Sequence, residues 1–137
     1  VEDVTGVADL PVSALTGEPV ARIGPDATLI DVARALTERD VGALVVGEGE
    51  RVTGVVSERD VVRALAAGRD PATTRAADVA NTDLVWCDAA ATVAEVAAEM
   101  MERYVRHVLV EDAGRLVGIV SARDLLGVYA AADTDLS

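Results

Sequence analysis

The hydrophobic positions of this chain change period in a regular order. Val20–Ile23 is a short apolar-rich run. Leu29, Val32, Ala33 and Leu36 then fall at i, i+3, i+4 and i+7, the spacing that lines one face of a helix. The phrase TLID at Thr28–Asp31 precedes that stripe and predicts a helix start closed by a Thr-x-x-acid capping box. Two runs rich in valine follow, Ala43–Gly47 and Val52–Val56, joined by Glu-Gly-Glu. They predict a pair of strands in a tight hairpin. From Ser57 onward Val61, Val62 and Leu65 mark another helix. The order is strand, helix, strand, strand, helix.

That order then recurs. Shifting the chain by 64 positions lays Val20–Leu65 over Leu84–Tyr129 without a gap, and about 14 of those roughly 46 pairs are identical, which predicts two copies of one unit. The second copy has a strand at Leu84–Cys87, the cap TVAE, and a helix stripe of Val93, Val96, Ala97 and Met100. Met100 therefore reads as core. Strands at His107–Glu111 and Leu116–Val120 are joined by a turn containing Ala113–Gly114, and Leu125, Leu126 and Tyr129 close the repeat. Weaker similarity places VSALTGEPV over AADVANTDL, and GRDPATTR at Gly68–Arg75 has a loop's composition. The expected organisation is a first domain at 11–67, a linker at 68–75, a second domain at 76–131, and terminal segments at 1–10 and 132–137. A unit of about 60 residues buries too little surface to be robust alone. The expected fold is thus α/β (α+β), two β-α-β-β-α repeats packed sheet to sheet with pseudo-twofold symmetry.

Composition narrows the chemistry. Half of the 137 residues are apolar (51%), and charges interrupt every apolar run well before the roughly 20 residues a membrane-spanning helix needs. VEDVTGVADLP carries three acids and no base, unlike a targeting peptide. A soluble cytoplasmic protein is expected, with no membrane partner. The net charge is −12, a field that repels nucleic acid. Cys87 and His107 are the only residues of their kinds, so no intrachain disulfide and no multi-histidine or thiolate metal cluster is expected. No Cys–His or Ser–His–Asp set can be assembled either, and the protein is not expected to be an enzyme.

One phrase is written twice. GVVSERD at Gly54–Asp60 and GIVSARD at Gly118–Asp124 agree at five of seven positions. Ser-x-x-Asp ahead of an apolar stripe is itself a capping box. The same geometry suits a ligand: a helix N-terminus favours phosphate, Ser and Arg add hydrogen bonds to it, and an ionised Asp accepts from paired hydroxyls such as those of a ribose. The motif therefore reads as a helix cap, as half of a nucleoside phosphate site, or as both.

A doubled strand–helix–strand–strand–helix unit with Gly-h-h-Ser-x-x-Asp (h, apolar) at the last strand–helix junction resembles a tandem pair of cystathionine-β-synthase (CBS) domains, a Bateman module in a standalone CBS domain-containing protein. The resemblance covers about residues 11–131. It implies binding of an adenosine derivative (AMP, ADP, ATP or S-adenosylmethionine) in clefts between the repeats, homodimer formation, and regulation of a separate partner protein, with no cofactor required. By position it implies one pocket at Ser57, Arg59, Asp60, Asp83, Leu84, Val85, His107 and Leu109. The other falls at Ser121, Arg123, Asp124, Pro19, Val20, Ala21, Ala43 and Val45. Asp would hold ribose, Ser and Arg the phosphate, and the apolar residues adenine. Relatives often carry a basic residue where Ala43 and His107 stand, which favours the first pocket, although Asp83 would oppose a phosphate there. His107 is either that phosphate contact or a core histidine. Trp86 either stacks on the base or fills the core or a dimer interface. The alternative function is a dimerisation module with degenerate, ligand-free pockets.

Overall fold

The computed structural model describes residues 2–16 and 19–136. Val1 and Ser137, in the predicted terminal segments, and Gly17 and Glu18, in the predicted first domain, lie outside the described residues. In the first half, α1 (Glu2–Asp9) and a 3-10 turn (Val12–Leu15) lead to β1 (Arg22–Ile23), α2 (Leu29–Arg39), β2 (Ala43–Glu48), β3 (Arg51–Ser57) and α3 (Glu58–Ala66). A short α4 (Ala76–Val79) precedes β4 (Trp86–Asp88), α5 (Val93–Arg103), β5 (His107–Asp112), β6 (Arg115–Ser121) and α6 (Ala122–Leu136). The two predicted β-α-β-β-α repeats are present. The first strand of each is shorter than its apolar run suggests: the residues in ladder register with β2 are Arg22 and Ile23, and those in register with β5 are Trp86, Cys87 and Asp88. The hairpin strands reach further, to the polar residues Glu48, Arg51, Asp112 and Arg115 beside their turns.

Two compact units result, Val20–Leu84 on the one hand and Val1–Pro19 with Val85–Ser137 on the other. Each holds a three-stranded mixed sheet. In Val20–Leu84 the order is β1-β2-β3, with β1 parallel and β3 antiparallel to the central β2. The other unit repeats this as β4-β5-β6. Leu44 and Val46 of β2, Val56 of β3, Val32 and Leu36 of α2, and Val61 of α3 form the first core. Val108, Val110, Val120, Val93, Val96, Met100 and Leu125 form the second, so Met100 is core as its stripe predicts. Each such side chain withdrawn from water contributes on the order of 1.5–3 kcal/mol before chain entropy is set against it. Val45 and Leu109 alternate with these positions and so point to the opposite sheet face. They are buried as well, at 1% exposure each, which is why both central strands read as continuous apolar runs.

The segment leading each repeat packs in the unit of the other repeat. Val12 of the 3-10 turn is completely buried in the core that Val93 and Val120 share. Ala76 of α4 occupies the equivalent place beside Val32 and Val56. Residues 71–76 are therefore well tied. Pro71 and Thr74 accept the amide hydrogens of Ile30 and Leu29 at 3.3 and 3.0 Å, and the Ala76 amide donates to Ala27 at 2.7 Å. The Asn81 and Val55 backbones exchange hydrogen bonds of 2.8 and 3.0 Å.

This crossing explains the glycine in both copies of the repeated phrase. A Cβ on Gly54 would stand 3.0 Å from Ala80 Cβ and 3.1 Å from the Asn81 carbonyl oxygen, and a Cβ on Gly118 would stand 2.5 Å from Thr16 Cβ. Gly118→Ala should therefore cost about 1–3 kcal/mol through overpacking, read as a lower urea midpoint. Thr16→Gly in the same chain should recover part of that loss, and full additivity of the two substitutions would refute the contact.

Candidate functional site

The repeated phrase ends a strand and starts a helix in each unit. Ser57 closes β3 opposite Ala43 of β2 and, in extended backbone conformation, caps α3. The Asp60 amide donates to Ser57 Oγ at 3.3 Å, while the Ser57 amide and hydroxyl donate to Asp60 Oδ2 at 2.8 and 3.0 Å. These bonds satisfy amides that a helix start would otherwise leave open. Asp60 Oδ1 takes no part in the cap, and Asp60 is half-buried. At the second junction the Ser121 amide donates to Asp124 Oδ2 at 2.9 Å and the Asp124 amide to Ser121 Oγ at 3.0 Å. Asp124 is exposed. Arg59 and Arg123 are exposed beside their caps, and neither forms an ion pair among the described residues.

The Val20–Leu84 unit also holds Asp83, Leu84, Val20, Ala21, Ala43 and Val45. Ala21 accepts the Val45 amide hydrogen at 2.9 Å, and both side chains are buried. Asp83 is exposed, with its amide held by Asn81 Oδ1 at 3.0 Å. Leu84 and Val20 are half-buried. The other unit holds Pro19, exposed, with Val85, His107 and Leu109. Val85 accepts the Leu109 amide at 2.8 Å, the counterpart of the Ala21–Val45 bond. His107, half-buried at the start of β5, pairs across the ladder with Ser121. Within a unit the structure thus brings Ser57 to Ala43 and Ser121 to His107, pairings that the motif alone did not suggest.

Trp86, the remaining candidate, and the chain's single cysteine neighbour this ladder. Trp86 lies opposite Leu109 and is 38% exposed. Cys87 packs partly against the second core. Burial, and then the nearby carboxylates of Asp88, Glu111 and Glu99, push its thiol up to about 11. Among the described residues no three His, Cys, Asp or Glu side chains are grouped to hold a metal ion, and no helix is long and apolar enough to cross a membrane.

Comparison with known proteins agrees with this architecture. The family model for the CBS domain matches residues 8–67 and 76–131. Hypoxic response protein 1 of Mycobacterium tuberculosis is 39% identical over 108 residues, covering 77% of this chain and 76% of its own. A CBS domain protein from Pyrobaculum aerophilum, solved in complex with AMP, superposes with a TM-score of 0.78 at 31% identity, over 91% of this chain and 99% of its own. A crystal structure of Hypoxic Response Protein I with two coordinated zinc ions gives a TM-score of 0.69 at 35% identity, over 86% of this chain and 98% of its own.

The caps and the thiol each carry a test. Ser57→Ala removes one capping acceptor and should cost about 1 kcal/mol of stability, measured by urea unfolding; an unchanged midpoint would show that the cap is not formed. For Cys87 the folded value lies above the ordinary 9.0, so folding favours the protonated thiol. That contribution is complete below about 9 and is lost as pH rises through about 11. Iodoacetamide should accordingly modify the folded chain more slowly at pH 8 than the urea-unfolded chain, the gap closing towards pH 11. Equal rates at pH 8 would contradict the assigned burial.

Proposed function

The chain belongs to the CBS domain family as a tandem pair of CBS domains, and from that premise we propose that it is a non-catalytic sensor of an adenosine derivative that signals to a partner protein. The observation that carries this reading is the relative solved with AMP, similar over 91% of this chain. The local chemistry supports it. Asp60 Oδ1 is outside the capping bonds and can accept from a ribose hydroxyl pair. The start of α3 presents a positive dipole end and Arg59 to a phosphate. Asp124 and Arg123 offer the same at α6. The Ser57–Asp60 junction is the tighter of the two in this reading, because half-burial strengthens the bonds that Asp60 makes relative to exposed Asp124. Binding favours the conformations that grip the ligand, and a partner that distinguishes those conformations reads the signal.

Titration calorimetry with AMP, ADP, ATP and S-adenosylmethionine tests the proposal on the intact chain, Asp60→Ala and Asp124→Ala. Loss of a hydrogen bond to a charged group is worth about 1.5–3 kcal/mol, so Asp60→Ala should weaken the tighter site by about 10–100-fold. Thermal melts without ligand separate that loss from loss of the cap. Selective loss in Asp124→Ala would reverse the ranking of the sites. If none of the four ligands gives heat or raises the melting temperature, the sensor reading fails, and a dimerisation module with ligand-free pockets takes its place.

A further inference from the structure

The chain has three aromatic residues, one tryptophan and two tyrosines. Tyr129 packs against the second core and Tyr104 ends α5. Trp86 alone lies in a sheet, on β4, the edge strand of its unit, where it is 38% exposed.

The ladder decides which side chains share its face. Trp86 is in register with Leu109, and Leu109 with Ile119, so the three form a row across strands about 4.8 Å apart. Val108, Val110 and Val120 alternate with these positions and turn to the core, as does Cys87, the partner of Val110. The row of Trp86, Leu109 and Ile119 therefore lies on the opposite face. Leu109 is almost fully buried and Ile119 half-buried, which leaves the indole as the open end of an apolar row.

The neighbouring rows of that face differ in charge. On one side Asp88 stands in register with Glu111, a like-charged pair that repels any further anion. On the other, about 6.8 Å along β5 from Leu109, His107 stands in register with Ser121, where α6 begins. A nucleotide whose base lies against Trp86 and Leu109 is repelled on the first side. On the second it meets an imidazole, a hydroxyl and the positive end of a helix dipole. Its phosphate accordingly points towards His107 and away from Asp88.

The other repeat lacks this arrangement. Moving Trp86 by 64 positions gives Arg22, which is in register with Val45 but whose guanidinium donates to the Gly49 carbonyl at the tip of the β2–β3 hairpin. Ala43 stands where the second repeat has His107. We propose that Trp86 stacks on the purine of the bound adenosine derivative and fixes the direction in which the ligand lies. An aromatic face for the base is thus offered by one unit only. This deepens the sensor reading above and rests on it.

As the single tryptophan, Trp86 also reports on itself. Excited beyond the adenine band, its emission should fall saturably as AMP, ADP, ATP or S-adenosylmethionine is added, along the same isotherm as the heat of binding. Trp86→Leu should weaken that ligand about tenfold. Trp86→Phe, which keeps an aromatic face, should recover most of the loss, and melts without ligand separate lost stacking from lost packing. Heat of binding with unchanged emission overturns the stacking and leaves the sensor reading intact; absence of heat from all four ligands removes both. Unaltered affinity in Trp86→Leu also overturns the proposal. So does light scattering in which Trp86→Leu splits a dimer while the ligand binds as before, since the indole would then serve an interface.

Discussion

The reciprocal hydrogen bonds between Ser57 and Asp60, and between Ser121 and Asp124, decide where a strand stops and a helix begins. Each side chain serves the other residue's backbone, so neither can be lost without opening a donor at the helix start. The turn they set places a serine at the end of a ladder and an aspartate in the first helical turn. A carboxylate with one oxygen committed to structure and one outside the cap can hold a helix together and still accept from a ligand. The two roles are compatible because they use different atoms.

A second constraint lies three residues upstream of each serine. Gly54 and Gly118 lie under the segments that carry Ala80–Asn81 and Thr16. Those crossings hold Ala76 and Val12 in cores to which their own repeats do not belong. Retention of glycine in the repeated phrase is therefore a packing requirement, whereas the serine and aspartate serve the cap. One seven-residue phrase combines constraints of separate origin, and ligand binding alone does not account for its retention.

The repeats are similar without being interchangeable. The thiol of Cys87 is held protonated by burial and carboxylates, while Ile23, at the same repeat position, has nothing to titrate. Tyr129 is partly buried where Leu65 stands exposed. One unit carries a helix, α1, where the other carries a Gly- and Pro-containing turn. Such differences do not disturb the sheets, whose valines fill equivalent places in both cores.

The elements of the two repeats, their order and their duplication were legible in the residues, because hydrophobic period and capping phrases are local signals; α1, the 3-10 turn and α4, which lie before each repeat's first strand, were not. The helix stripes from Leu29 and Val93, the four Ser/Thr-x-x-acid starts and the core role of Met100 all followed from spacing. Ladder register did not. Counting back from the two-residue turns after Glu48 and Asp112 would set Ser57 opposite Gly42 and Ser121 opposite Arg106. A one-residue irregularity at Val46/Gly47, and its counterpart at Val110/Glu111, moves the partners to Ala43 and His107. The attachment of residues 71–76 to the start of α2 was equally hidden, since loop composition says nothing about which distant amide a carbonyl will meet. Local sequence thus determined what each segment of the two repeats became; only the tertiary structure decided which residues face one another, because register and crossing depend on contacts between segments far apart in the chain.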